Sequence, residues 1–226
     1  MHFITPVLFI FLKLKERYFP VIEKILKENG IPEDFKYLCV AESSLQNLKS
    51  PAGAEGMWQF LAATARSYGL EVNGDIDERY HLEKATRAAC QYLKDAKAKF
   101  GSWTAAAASY NCGVGGYSNF SSYQGSSYYY DLLLPEETNR YVFRIIALKL
   151  ILENPVHYGF NLSPSDTYKP FKTKKIKVEQ PISNLASWAA QQGSSYKMVR
   201  LVNPWITGKT LPNKSGKTYY IEIPID

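Results

Sequence analysis

The alternation of apolar and polar positions over residues 32–45 predicts an amphipathic helix whose apolar stripe breaks at an acid. Phe35, Leu38 and Cys39 mark the stripe, and the next stripe position is Glu42. Pro32 suits the first turn of that helix. Ser43, Ser44 and a run of small, turn-forming residues follow, so Glu42 falls near the C-terminal end. Two effects of one sign meet there. Burial disfavours a charged carboxyl, and so does the negative end of the helix dipole. Both raise its pKa, and a carboxyl kept protonated near neutral pH suits a general acid. Taken alone, the helix favours a plainer reading, a glutamate that reaches solvent or pairs with a lysine.

The same periodicity predicts four more helical stretches and one short helix. Residues 17–30 carry Phe19, Ile22, Ile25 and Leu26 in register and stop at Gly30. Residues 57–68 carry Trp58, Leu61, Ala65 and Tyr68 and stop at Gly69. Residues 83–100 read as a long helix, 102–110 (SWTAAAASY) as a short alanine-rich one, and 135–154 as a helix with Tyr141, Ile145, Leu148 and Leu152 on one face. Between them lie predicted loops: SPAGAEG at 50–56, NCGVGG at 111–116, and a polar, aromatic stretch at 117–130. Residues 71–81 read as a polar connector in which Asp75, Asp77 and Glu78 cap and form ion pairs. The apolar start, residues 3–12, reads as the first part of a core helix or a stub left by truncation. Its positive charges follow rather than precede it, unlike a secretory signal. No apolar run is long enough to span a bilayer.

The composition shifts after residue 160. Residues 161–172 hold Pro164, Pro170 and many polar residues, which predicts a linker. Beyond it come a strand at 174–178 (KKIKV), helices at 182–193 and 195–203, and a strand at 218–223 (TYYIEI). The expected organisation is a mainly α domain at 1–160, the linker at 161–172 and a small α+β domain at 173–226. A length of 226 residues with 46% hydrophobic and 21% charged residues accommodates one sizeable domain and a small one.

Charge separates the two parts. Residues 1–165 carry 17 basic and 17 acidic side chains, whereas residues 166–226 carry 10 and 4, which accounts for the net +6. A basic tail suits nucleic acid, anionic lipid or an acidic polymer, and equally a small domain with lysine-rich loops. It lacks the interleaved aromatics of a nucleic-acid motif, so no nucleic-acid partner is expected. Cys39, Cys90 and Cys112 have no metal-ligand spacing with one another or with His2, His81 and His157. No metal and no cofactor are expected. Cys39 and Cys90 read as small core residues.

Four motifs in order give the chemistry its setting: ESSL at 42–45, GAEGMWQF at 53–60, AASYNCG at 107–113 and LPEETNRYV at 134–142. With YFP at 18–20, SPAGA at 50–54 and DER at 77–79, they resemble the lytic transglycosylases of the soluble-lytic-transglycosylase (goose-lysozyme-like) superfamily, nearest the membrane-bound lytic murein transglycosylase D group. The resemblance covers residues 16–158 and implies a lysozyme-like α-helical catalytic domain. It implies that Glu42 is the catalytic acid/base, with Ser43 beside it. Ser50 and Gln59 would face the sugar cleft. Tyr110 would orient the glutamate, with Asn111 next to it, and Glu137 would lie by the substrate and its peptide stem. Ser109 stands where alanine is usual. Each residue also has a plainer reading. Gln59 would bridge helix ends, Tyr110 would be a core tyrosine, and Glu137 would sit on the helix dipole after Pro135.

The resemblance further implies that one carboxyl suffices. Most glycosidases need two flanking the bond. Here Glu42 would protonate the oxygen between N-acetylmuramic acid and N-acetylglucosamine, then deprotonate the sugar's 6-hydroxyl, leaving a 1,6-anhydro end. The tyrosines of 117–130 (Tyr117, Tyr123, Tyr128, Tyr129, Tyr130) would stack on sugars as a lid or subsite wall. The tail resembles a degenerate LysM domain, with Leu201, Asn203 and Pro204 fitting and EQPI at 179–182 replacing the usual opening. It is expected either to bind glycan or only to pack on the catalytic domain. Two other functions are set against the transglycosylase, a goose-type lysozyme using water and a non-catalytic peptidoglycan-binding protein. The expected partner is the peptidoglycan strand. The expected location is the periplasm or outer envelope, with membrane attachment in the full-length form.

Overall fold

Helix α1 (Ile4–Glu28) unites two stretches that the sequence pattern separates, the apolar start and the helix expected at 17–30. It runs through Pro20, whose missing N–H leaves one carbonyl of the preceding turn without its usual donor. The computed structural model describes residues 4–213 and 216–225. Phe3, expected to open the first helix, and His2 lie outside the described residues. Gly30, at φ 67, lets the chain turn left-handed, and the Ile31 N–H returns to the Leu26 carbonyl.

Helix α2 (Phe35–Ser43) begins three residues later than Pro32 suggests, after a tight turn in which the Phe35 N–H bonds the Pro32 carbonyl. Helices α3 (Ala62–Ser67), α4 (Leu82–Phe100), α5 (Trp103–Cys112), α6 (Val114–Gln124) and α7 (Glu136–Glu153) complete the helical unit. The α5 helix sits centrally, packed on α4, α6 and α7, while α2 packs on α7. Its alanines, Ala105, Ala106 and Ala108, are fully buried, and their small size permits that close approach.

Two predicted elements differ. Residues 57–60 are not helical. They form a tight loop in which Glu55 bridges Lys49 and Phe60, and Trp58 is buried with its indole N–H on Thr86 at 2.9 Å. The glycine-rich and aromatic stretch from 114 is helix α6 rather than a loop. Its glycines and serines are poor helix formers, but burial of Tyr117 and packing of Phe120 override propensity.

In the tail, β1 (Thr173–Val178) pairs antiparallel with β2 (Tyr219–Pro224), Ile176 opposite Ile221. Helices α8 (Leu185–Gln191) and α9 (Tyr196–Val202) lie between them in sequence. This unit has its own core of Val178, Leu185, Ala189, Val199, Trp205 and Ile221. Buried Asn203 ties it together: its amide donates to the Val199 and Glu222 carbonyls and its oxygen accepts from the Glu222 N–H. Ile76, from the connector expected to be merely polar, is fully buried in this second core.

Candidate active site

Glu42 sits in the last turn of α2. The helix ends as Ser44 turns left-handed at φ 60, its N–H on the Val40 carbonyl, and Leu45 continues left-handed at φ 57. The half-buried Glu42 side chain faces α7, where the Tyr141 hydroxyl donates to Oε1. Burial raises the Glu42 pKa from its ordinary value, and the negative charge of Glu137 adds to this. The Tyr141 hydrogen bond and the Arg144 guanidinium oppose it without reversing it. Tyr141 itself is fully enclosed, and burial beside Glu42 holds its hydroxyl well above its ordinary value.

Among the described residues, Ser44, Leu45 and Gln59 are the non-glycine positions at positive φ. Two of the three lie two and three residues after Glu42, and the third lies in the GAEGMWQF motif. Such backbone persists where surroundings hold it and clusters at functional sites. The Gln59 amide donates to the Leu48 carbonyl at 3.0 Å and the Gly56 carbonyl at 2.8 Å, so it closes the 48–59 loop rather than bridging helices.

The other expected site residues divide into two groups. Asn111 is half-buried, and its Oδ1 accepts from the Thr138 hydroxyl at 2.8 Å, joining α5 to α7. Glu137 is exposed in the first turn of α7, 3.6 Å from Arg144. Ser50 is half-buried and its hydroxyl accepts from the Ala54 N–H at 3.0 Å, stitching a turn. The Ser43 and Tyr110 hydroxyls are both engaged by backbone carbonyls. Ser43 is 1% exposed and its hydroxyl bonds back to the Cys39 carbonyl at 3.1 Å, because one residue past Glu42 the helix faces its own core. Tyr110 does not bond Glu42. Its hydroxyl donates to the Trp58 carbonyl at 2.7 Å, since the 57–60 loop folds over α5. The hydroxyl that reaches Glu42 belongs to Tyr141. The periodicity places Tyr141 on the apolar face of its helix, which hides its polar tip. Arg144 has no earlier signal except its helical spacing from Tyr141.

The tyrosines expected to form one wall are also split. Tyr117 is core, with its hydroxyl on the Ser127 carbonyl at 2.9 Å, and Tyr129 is core, bonded to the Asn139 carbonyl at 2.6 Å. Tyr123, Tyr128 and Tyr130 are exposed. Asp77 and Glu78 do cap and pair as expected, Asp77 accepting from the Arg79 N–H and Glu78 meeting Lys84. A cavity of about 820 Å³ opens elsewhere, between α1, α4 and the tail, and Glu42 does not line it.

Two family profiles match the chain. The profile described as the transglycosylase SLT domain matches residues 19–132, and the one described as the soluble lytic transglycosylase C-terminal LysM-like domain matches residues 174–226. Membrane-bound lytic murein transglycosylase D of Escherichia coli (strain K12) is 29% identical over 210 residues, which is 90% of this chain and 46% of that protein. The same protein of Escherichia coli O6:H1 gives the same values. The chain thus spans about half the length of the curated relatives it matches.

Proposed function

This chain belongs to the transglycosylase SLT domain family, and on that premise we propose that it is a peptidoglycan lytic transglycosylase with Glu42 as its single acid and base. The observation that carries the reading is the state of Glu42. A carboxyl at a helix C-terminus, pushed up by burial and held by a tyrosine hydroxyl, is fit to donate a proton. Glu42 protonates the glycosidic oxygen between N-acetylmuramic acid and N-acetylglucosamine. The N-acetyl group supports the oxocarbenium-like centre. Glu42, now a carboxylate, takes the proton of the same sugar's 6-hydroxyl, which closes on the anomeric carbon. The tethered hydroxyl outcompetes water through proximity. Atoms balance without water, so the step is a lyase reaction that leaves a 1,6-anhydromuramic end.

Gln59, Asn111, Ser50 and Glu137 are the proposed substrate contacts, with Ser43 and Tyr110 supporting from behind the cleft. The proposed units are 1–160 for catalysis, 161–172 as linker and 173–226 as a LysM-like module that meets the glycan. No described helix is long and apolar enough to cross a membrane. The proposed location is the cell envelope, facing peptidoglycan and attached to a membrane, in keeping with the name of the relatives.

A second reading keeps Glu42 as acid and makes Glu137 the base that activates water, as in a goose-type lysozyme. It is favoured by one observation, that Glu137 lies close enough for its charge to raise Glu42. Its exposure and its pairing with Arg144 speak against a base. The first test is Glu42→Gln on purified peptidoglycan. Turnover is expected to fall by about 10²–10⁴-fold with the fold intact. Turnover within about twofold of wild type would remove Glu42 from the mechanism.

A further inference from the structure

The carbonyls on either side of Gln59 are both held by side chains from distant elements. Tyr110 donates to the Trp58 oxygen at 2.7 Å, and Arg79 Nη1 donates to the Phe60 oxygen at 3.2 Å and the Gly53 oxygen at 3.1 Å. Gln59 sits at φ 49, where a non-glycine residue stays only if its surroundings fix it. Arg79 is 5% exposed and belongs to a short 3-10 turn, Glu78–Tyr80. Its Nε and Nη2 meet the Asp77 carboxylate at 2.9 and 2.6 Å, and Nη2 lies 3.3 Å from Glu55. Gly56 backs onto the Arg79 carbonyl so closely that a Cβ there would come within 2.0 Å of the oxygen. Glycine is what lets the loop lie against this turn.

The turn is in turn held by the tail. The Asp77 N–H donates to the Trp205 carbonyl at 2.8 Å, and the Asp75 carbonyl accepts from the Thr207 and Gly208 N–H groups at 2.8 and 3.0 Å. Ile76 between them is fully buried in the tail core. Contacts therefore run unbroken from the tail core, through residues 75–79, to the loop that carries Gln59.

We propose that Arg79 is a positioning residue for Gln59, and that the C-terminal domain, by clamping residues 75–77, shapes the substrate-facing loop at 53–60. The proposal rests on the reading that Gln59 faces substrate. It gives the tail a part in catalysis at a distance from the glycan, whether or not the tail also binds it.

The test uses the whole chain and compares Arg79→Lys and Ile76→Ala with wild type, by amide hydrogen exchange and by kinetics on peptidoglycan. Lysine keeps the charge of Arg79 but loses the fork that reaches two carbonyls and a carboxylate together. Exchange at the Glu55 and Gln59 N–H groups, which donate to the Phe60 and Gly56 carbonyls, is expected to rise about tenfold or more in Arg79→Lys. KM is expected to rise more than kcat falls, with the pH profile of kcat unmoved because Glu42 is untouched. A merely structural role would lower the melting temperature and leave KM alone. Loop exchange and KM both within about twofold of wild type would overturn the role of Arg79. Ile76→Ala, made within the tail core, is expected to loosen the same loop amides; Ile76→Val replaces it should the alanine variant not fold. Faster exchange in the tail with the loop unchanged would overturn the tail's part. Should wild type leave peptidoglycan uncut, the enzymatic reading falls, and the exchange data still decide this proposal.

Discussion

Tyr141 reaches Glu42 across 99 positions of sequence, and the chemistry assigned to Glu42 depends on that reach. The bond lowers the Glu42 pKa against the larger effect of burial. Tyr141→Phe removes it, so the Glu42 pKa rises further. A general acid works while protonated, so the alkaline limb of the kcat profile moves to higher pH. The maximum rate falls by about tenfold, the equivalent of one charge-assisted hydrogen bond. A pH–rate series on both proteins checks this, and a limb that stays put or moves to lower pH contradicts it. At this scale the sequence discloses a polar residue when it breaks an apolar stripe and conceals it when it continues one. Glu42 interrupts its stripe and is legible. Tyr141 extends its stripe and reads as core, although its hydroxyl meets the carboxyl. Ser43 and Tyr110 share motifs with site residues, but a motif does not fix direction. One points into the core and the other to the Trp58 carbonyl.

Helix α5 carries both Tyr110 and Asn111, and its start is fixed by Ser102, whose hydroxyl accepts from the Ala105 N–H at 3.1 Å. Loss of such a cap costs about 1 kcal/mol. Ser102→Ala is therefore expected to destabilise the chain by about that much in denaturant unfolding and to leave KM near wild type, because the other end of α5 stays packed. No loss of stability would mean that packing alone sets the helix start. Helices α4 and α7 were legible because their apolar residues recur strongly over many turns. Helix α6 was not, since glycine and serine spell a loop and only the buried Tyr117 shows otherwise. Residues 57–60 erred the other way. Trp58 and Leu61 keep helical spacing, yet the left-handed Gln59 and the short bridges around Glu55 end any helix before it starts.

His81 lies where the helical unit meets the tail, its ring 5.7 Å from that of Trp205. Burial, then Lys84 and Lys175, push its pKa down from 6.5 to about 4, with Glu83 opposing. The fold keeps His81 neutral while the unfolded chain protonates it near its ordinary value. Stability is then full above that value and is lost as pH falls toward about 4. The shift corresponds to at most about 3 kcal/mol. Melting temperatures at pH 7.5 and 5 are expected to differ less in His81→Gln than in wild type, and an equal difference would contradict the assignment. The division into a helical unit and a strand–helix–helix–strand tail was legible because composition and charge both shift after residue 160. Their joining was not, because Asp75, Ile76 and Asp77 read as a polar connector, whereas Ile76 is buried in the tail core. The SLT profile ends at residue 132, before Glu137, Tyr141 and Arg144, so the contacts around Glu42 draw on chain beyond it. The central claim is that one carboxyl cleaves the glycan without water. It is tested most directly by mass spectrometry of the products released from purified peptidoglycan, wild type beside Glu42→Gln. The account predicts 1,6-anhydromuramic ends from wild type and none from the variant. Reducing ends from wild type would contradict it, showing water as the acceptor and Glu137 as the carboxylate to examine next.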